Sequence, residues 1–433
     1  MYRNQSPRRR VRWSILGCLF GFCVFGYMQR TGIAIAAEPM MQELGLDQVA
    51  LGWLLTTFLI GYTVFQIPGA VLGEYWGPRR MLTWMGATTL LATAATALAP
   101  RLANIGVVTA ILIAARLSLG AAQGGLFPVA SGAIQNWFPV RNWGFAQGLL
   151  VTGAWVGSAV TPPLVSVLVL HLGWRAALTA ACVPSLPLLA WWQFYARDRP
   201  AEHPAVGESE LAELAVPAAA TGEHVRLSHI VRVLVDRQVL LVTVSYFLMN
   251  YVFYLVTFWS FLYLRQERQM SVLESGWLAS LPFIAAAVAT AVGGRLSDYF
   301  IARWGTRLGL RILPLVSLPC AGVFLWLTGT AGTAYFAVAA LCLAFAFCEL
   351  MEGPYWSTTM RLAPTDSMAA TAVLNTGGNL GGVVATPAIA ALAASHHWQA
   401  IFALGAIAAC AAAVLWFWVD VAHPGAHSQE VRT

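Results

Sequence analysis

The chain has no lysine: all 25 of its basic residues are arginines, set against 19 acids for a formal net charge of +6. Charge of either sign is scarce. Only 10% of the 433 residues are charged, where soluble domains carry about 25%, and 58% are hydrophobic. A water-soluble core of this length has no room for so much apolar surface, so lipid must solvate much of it. The arginines lie between apolar runs, which reads as topology signalling and not as a nucleic-acid footprint. Metal and disulfide patterns are missing too. Cys18, Cys23, Cys182, Cys320, Cys342, Cys348 and Cys410 all fall in apolar stretches, with no CxxC and no Cys/His cluster, so they read as small buried hydrophobes. There is no P-loop, HExxH or GxSxG. The run Gly377-Gly378-Asn379-Leu380-Gly381-Gly382 is glycine-rich, but it sits in an apolar span and follows no strand. The expectation is therefore no enzyme, no cofactor, no metal and no ATP motor.

What is present is a succession of apolar runs near the roughly 20 residues that a spanning helix needs. Twelve can be placed, at about 13–36, 50–72, 82–99, 105–135, 144–171, 175–195, 239–262, 274–297, 312–328, 333–357, 368–393 and 399–421. The expected fold is an all-α polytopic membrane protein, twelve transmembrane helices in two pseudo-symmetric six-helix bundles. The division is 1–195 for the first bundle, 196–238 for a polar cytoplasmic linker with a short helix around Leu227–Val235, 239–421 for the second bundle, and 422–433 for a tail. The basic start (Arg8, Arg9, Arg10, Arg12) leads into an apolar run too long for a signal peptide. With both termini in the cytoplasm, only Arg101, Arg175, Arg265 and Arg268 face outside. That asymmetry obeys the positive-inside rule and implies a cell membrane, the inner one in a bacterium.

The halves echo each other. After the second span the chain reads Gly73-Glu74-Tyr75-Trp76-Gly77-Pro78-Arg79-Arg80, and after the eighth Gly294-Arg295-Leu296-Ser297-Asp298-Tyr299, with Gly305 and Arg307 following. Each presents an acid and then a basic cluster. Glu74 with Arg79 and Arg80, and Asp298 with Arg307, are therefore candidate gates that hold one conformation closed, as opposed to solvated loops that merely follow the charge rule. Duplication of this kind marks repeat-built transporters.

Two guanidiniums lie inside spans, Arg30 in the first and Arg116 in the fourth. Each costs at least ~2.5 kcal/mol there, and neither span supplies an adjacent acid; the nearest polar neighbours are Gln29 and Gln123. The absent anion is then a candidate for the substrate, a carboxylate or phosphate matched to the guanidinium fork; snorkelling of Arg30 and a structural pair for Arg116 are the alternatives. Glu349 and Glu352 share a face in the tenth span. Buried side by side they can hold a proton between them, or they pair with an arginine of another helix. Tyr27, Tyr62, Asn250, Tyr251, Tyr254, Tyr355, Trp356, Ser357, Asn375 and Asn379 complete a candidate cavity.

These segments resemble the major facilitator superfamily, and specifically its anion:cation symporter branch, from about Trp13 to Val421. Tyr27-Met28-Gln29-Arg30 resembles that branch's first-span motif Tyr-x-Asp-Arg. Tyr62 to Gly69 with Gly73 to Gly77, Arg116 to Gly124 with Phe127-Pro128, and Asn375-x-x-Gly378-Asn379 are similar to its spans 2, 4 and 11. The resemblance implies a small organic anion as substrate, H+ or Na+ as possible co-ion, Arg30 on the anionic group, and Tyr27, Tyr62, Trp356, Ser357 and Asn379 lining the site. The two acids on which the branch relies for proton coupling are Gln29 and Gln123 here, and glutamine does not titrate. Either coupling has moved, with Glu349 and Glu352 as candidates, or the protein is a facilitator or exchanger. An organophosphate/phosphate exchanger is a second reading, disfavoured by the lack of arginine in span 7; a non-transporting nutrient sensor is a third, from another class. A monomer, with no nucleic-acid partner, is expected.

Overall fold

In the computed structural model the described residues are 11–100, 104–139, 142–208, 210–211, 227–363 and 366–420. The outermost termini, Arg101, Arg141 and Arg226 of the orientation argument, and the tail 422–433 lie outside them. The helices are α1 (Val11–Ile35), α2 (Ala37–Leu44), α3 (Gln48–Trp76), α4 (Pro78–Ala97), α5 (Ile105–Gly124), α6 (Leu126–Trp137), α7 (Trp143–Cys182), α8 (Ser185–Tyr195), α9 (Leu227–Leu234), α10 (Arg237–Gln266), α11 (Val272–Thr330), α12 (Ala334–Glu349), α13 (Glu352–Leu362), α14 (Ser367–Ala394) and α15 (Trp398–Leu415).

Nine helical stretches among the described residues are long and apolar enough to span a bilayer. Two of them are double. The stretch containing α7 and α8 turns back at Gly173 (φ 76°, ψ 163°), and α11 turns back at Gly305 (φ 78°, ψ 166°). With α4, this makes the twelve crossings of an all-α two-bundle membrane fold. Gly77, between α3 and α4, has the same conformation (φ 80°, ψ 152°). That region is essentially reserved for glycine, so Gly77 and Gly305 act as matching reversals in the two halves. Residues 73–76 and 294–304, expected as loop, are helical up to these glycines. Two expected spans are instead broken: the fourth at Gly125, between α5 and α6, and the tenth at Leu350–Met351, between α12 and α13. Helix starts carry the side chains that satisfy their open N–H groups. Asp47, Asn104, Asp236, Ser271 and Thr333 cap α3, α5, α10, α11 and α12, each worth about 1 kcal/mol.

Within each half the packing relies on close backbone approach, as expected where lipid gives no hydrophobic drive to helix association. A Cβ at Gly120 would lie 2.0 Å from the Phe58 carbonyl oxygen, and one at Gly381 would lie 2.2 Å from that of Phe247. Between the halves, α3 packs on α14 and α7 on α11. A Cβ at Gly52 would meet that of Ala390 at 2.2 Å.

The contacts between halves are concentrated at the end of the molecule that carries α2. Arg265 on α10 grips Glu38 on α2 through two bonds of 2.8 and 3.2 Å, and Gln48 donates to Gln266 at 2.6 Å. One continuous apolar core runs through both halves there. At the opposite end the first half has a separate core, built around Leu16, Leu82, Trp137 and Trp192. The halves are thus joined at the α2 end, and the deepest cross-half hydrogen bond among the described residues is made by Arg30.

Candidate functional site

Arg30 sits six residues from the end of α1, and α1 packs along α7. The side chain is 3% exposed. Its guanidinium carbon lies 5.1 Å from the Tyr27 ring centre, 5.0 Å from Phe58, 5.2 Å from Tyr62 and 5.6 Å from Tyr254. Four aromatic faces therefore substitute for part of the water that the cation has lost. Nη2 donates to the Tyr254 hydroxyl at 3.0 Å. That hydroxyl donates to Asn379 Oδ1 at 2.6 Å, and Asn379 Nδ2 donates to the Asn375 carbonyl and side-chain oxygens at 2.7 and 3.1 Å. Arg30 Nε has no partner, and among the described residues no carboxylate lies within 4 Å of Arg30 or Arg116. The structure thus brings Tyr27, Arg30, Tyr62, Tyr254, Asn375 and Asn379 to one place.

Arg116 is elsewhere. It is 2% exposed, its guanidinium carbon lies 5.1 Å from the Phe58 ring centre, and Nη2 donates to the main-chain oxygen of Arg30 at 3.3 Å. Gln123, two turns along α5, donates from Nε2 to the Gly26 oxygen at 3.0 Å. Two α5 side chains thus hold two carbonyls of α1 one turn apart, fixing the backbone that presents Arg30. Gln29 faces away from Arg30 and donates to Ser185 Oγ at 3.1 Å. Gln29, Gln123, Thr89 and Ser185 line a partly enclosed cavity of about 30 Å³ within the first half, large enough to hold water.

A second cluster lies on the other half. Glu352, at the start of α13, accepts from Trp356 Nε1 at 2.8 Å and from the Tyr246 hydroxyl at 3.1 and 3.2 Å. Glu349 is 1% exposed and its Oε1 has no partner. Among the described residues no cation lies within 4 Å of either acid, so the expected alternative of a pairing arginine is not realised there. Ser357 Oγ donates to the Pro354 oxygen at 3.3 Å, the Asn250 amide to the Tyr246 oxygen at 2.8 Å, and Tyr251 turns to the Ile401 oxygen at 3.1 Å. Tyr355 is tied to Ser245 at 2.6 Å.

The duplicated segments lie at the end away from α2. Arg79 sends Nε and Nη2 to the Gln193 carbonyl at 3.0 and 2.6 Å, and its main-chain N–H goes to Asp198 at 2.7 Å. Arg307 pairs with Asp420 at 3.0 Å, and Arg311 donates to the Val419 oxygen at 2.7 Å. In the first half the cation binds a carbonyl in the last turn of α8, where the helix dipole favours it; in the second, Arg307 pairs with a carboxylate beyond the end of α15. Arg79 and Arg307 therefore do not engage the acids that precede them; Glu74, Arg80 and Asp298 are exposed.

Two residues escaped the sequence reading. Phe58 packs near both buried guanidiniums, and Tyr246 holds Glu352. Phe58 precedes Tyr62 by four residues, which is one helical face, and Tyr246 precedes Asn250 by four.

Over residues 17–372 the sequence matches the profile of the Major Facilitator Superfamily. The chain belongs to that superfamily. It is a multi-pass membrane transporter, not an enzyme. Its relatives include a protein named as a probable sulfoacetate transporter, SauU of Cupriavidus necator, 30% identical over 88% of this chain and 86% of the relative. Others are named as a probable galactarate/D-glucarate transporter of Escherichia coli (24%; 89% and 87% covered) and a hexuronate transporter of Bacillus subtilis (25%; 78% of each). In fold it is similar to a bacterial homologue of the human lysosomal transporter Spinster in an inward-facing, occupied state, with a TM-score of 0.73 and 15% identity over 96% of this chain and 97% of that one.

For a transporter, the Gln123 bond carries a testable consequence. An amide donates to the Gly26 oxygen at every pH; a carboxyl group does so only when protonated. Gln123→Glu is expected to lower uptake about tenfold at about pH 8, the size of one buried hydrogen bond lost, and to recover it at about pH 5.5. Gln123→Leu should stay low at both, and equal Glu and Leu profiles would remove the bond from the mechanism.

Proposed function

We propose that the protein carries a small organic anion across the membrane by alternating access, with Arg30 holding the anionic group. The carrying observation is that Arg30, 97% buried, has no carboxylate partner among the described residues and lies where the two halves meet. Such a cation is costly unless an anion completes it at some point in the cycle. The names of the three relatives above, for sulfoacetate, galactarate/D-glucarate and hexuronate, support the same class. Tyr254 supplies the link to motion. Its hydroxyl occupies one of the fork's donors from the opposite half, so an arriving carboxylate or sulfonate replaces it and alters the contact between halves.

The remaining assignments follow from this reading. Residues 1–195 and 239–421 form the moving bundles, with 196–238 linking them and 422–433 as a tail; α9 falls in the linker. With both termini cytoplasmic, the α2 end is external and closed by Glu38–Arg265, so the site opens inward. Arg116 acts on Arg30 through its backbone. Tyr27, Tyr62, Asn375 and Asn379 complete the anion end, and Trp356 and Ser357 the opposite wall. At the gate, near Arg80, Glu74 and Asp298, Arg79 tethers the end of α8 and Arg307 the segment that follows α15.

Glu349 and Glu352 are proposed as the co-ion site. Glu349 is buried and Glu352 half-buried, and among the described residues neither has a cation within 4 Å. The groups facing them are Tyr246 and Tyr254 from α10, Cys348 from α12, Tyr355 and Trp356 from α13, and none is basic. Arg295 and Arg361 on neighbouring segments are exposed. A proton is the ligand that two such acids accept without a further cage.

The reading is tested by uptake into proteoliposomes, without ATP, of a panel of labelled carboxylates, sulfonates and phosphates. Saturable uptake of an organic carboxylate or sulfonate is expected. Uptake confined to phosphate esters in exchange for phosphate would replace the reading with the exchanger.

A further inference from the structure

The charges around the site restrict what kind of anion it takes. On the first half one guanidinium is available. Arg116 is turned to the Arg30 carbonyl and is 2% exposed. Arg30 has aromatic rings around it, and its Nη2 already has one acceptor, which leaves a single fork for a single anionic group. The wall opposite has no cation to offer. Between Arg237 at its start and Arg265 at its end, which is bound to Glu38, α10 has no basic residue; α14 has none at all.

That wall carries acids instead. Glu352 is half-buried and accepts from Trp356 at 2.8 Å and from the Tyr246 hydroxyl at 3.1 and 3.2 Å. Its partner Tyr246 is eight residues before Tyr254 on α10, about 12 Å along the helix axis. A ligand gripped at Arg30 and extending along α10 thus runs from a guanidinium toward a carboxylate. A proton shared between Glu349 and Glu352 still leaves one negative charge there.

We propose that this site selects organic monoanions, acids with one carboxylate or sulfonate and a neutral body, over dianions of the same length. The inference rests on Arg30 as the anion site. A second anionic group meets the field of Glu352 and no compensating cation, which is discrimination by repulsion. A neutral hydroxyl or an aromatic edge meets Trp356, Tyr246 and the Asn375–Asn379 amides, all able to contact it. This sets the chain apart from relatives named for sulfoacetate and for galactarate/D-glucarate, which are dianions.

The test is binding to purified full-length protein by isothermal titration, using two matched pairs: gluconate against glucarate, and ethanesulfonate against sulfoacetate. Each monoanion is expected to bind at least tenfold more tightly than its dianion. The Glu349→Gln/Glu352→Gln variant is expected to narrow the ratio to threefold or less. A dianion that binds wild type as well as its monoanion overturns the inference and leaves anion transport standing. An undiminished ratio in the folded variant also overturns it, by removing the acids as its cause. No binding of any of the four counts against the anion site itself, and the inference falls with it.

Discussion

Arg30→Ala is expected to abolish uptake, by at least a hundredfold, while the protein still folds and inserts. Removing one partner of a buried charged interaction costs about 3–5 kcal/mol, and each 1.4 kcal/mol is a factor of ten. The loss should be specific because the fold does not depend on this charge. Arg30 forms no ion pair among the described residues, and α1 is held by its packing on α7 and by the Gln123–Gly26 bond. Arg30→Lys should recover little. Lysine keeps the charge but loses the planar fork and the stacking on Tyr27, Phe58 and Tyr62. Size-exclusion chromatography and thermal unfolding check the fold; substrate uptake checks the function. Substantial uptake by Arg30→Ala would place the anion somewhere else.

The second large effect concerns energy coupling. With Gln29 and Gln123 unable to titrate, Glu349 and Glu352 are the carboxylates left to carry a proton within the spans near the site. In wild type, an outside-acid gradient is expected to drive accumulation of substrate above equilibrium. Glu349→Gln with Glu352→Gln should abolish accumulation, so that uptake becomes equal with and without the gradient. Counterflow of substrate against substrate should persist, because exchange needs no proton. The direction follows from the chemistry: acid outside loads the pair, and alkali inside unloads it. Gradient-driven accumulation that survives in the double variant would remove the pair from coupling.

Much of this arrangement was legible in the sequence for one physical reason: charge in an apolar run is expensive, so it stands out. Arg30, Arg116, Glu349 and Glu352 were found that way, and twelve spans followed from hydropathy. What was not legible was direction. Nothing in the fourth span says that Arg116 points at a backbone oxygen of α1. Nor does anything in the duplicated segments say that Arg79 reaches Gln193 and Arg307 reaches Asp420, and not Glu74 and Asp298. The partners of Arg116 and Arg79 are carbonyls, which every residue possesses. Phe58 was invisible because a phenylalanine in an apolar helix carries no contrast. The break at Gly125 lies in a run of small and apolar residues, and the one at Leu350–Met351 lies between Glu349 and Glu352; hydropathy averaged over a whole span registers neither.

The central claim is that Arg30 binds the transported anion, and binding separated from turnover tests it most directly. The measurement is isothermal titration of a transported carboxylate or sulfonate into wild-type and Arg30→Ala protein at matched concentration and pH. The account predicts saturable binding to wild type and none to Arg30→Ala over a range at least a hundredfold above the wild-type dissociation constant. Binding of equal strength to both proteins would contradict it.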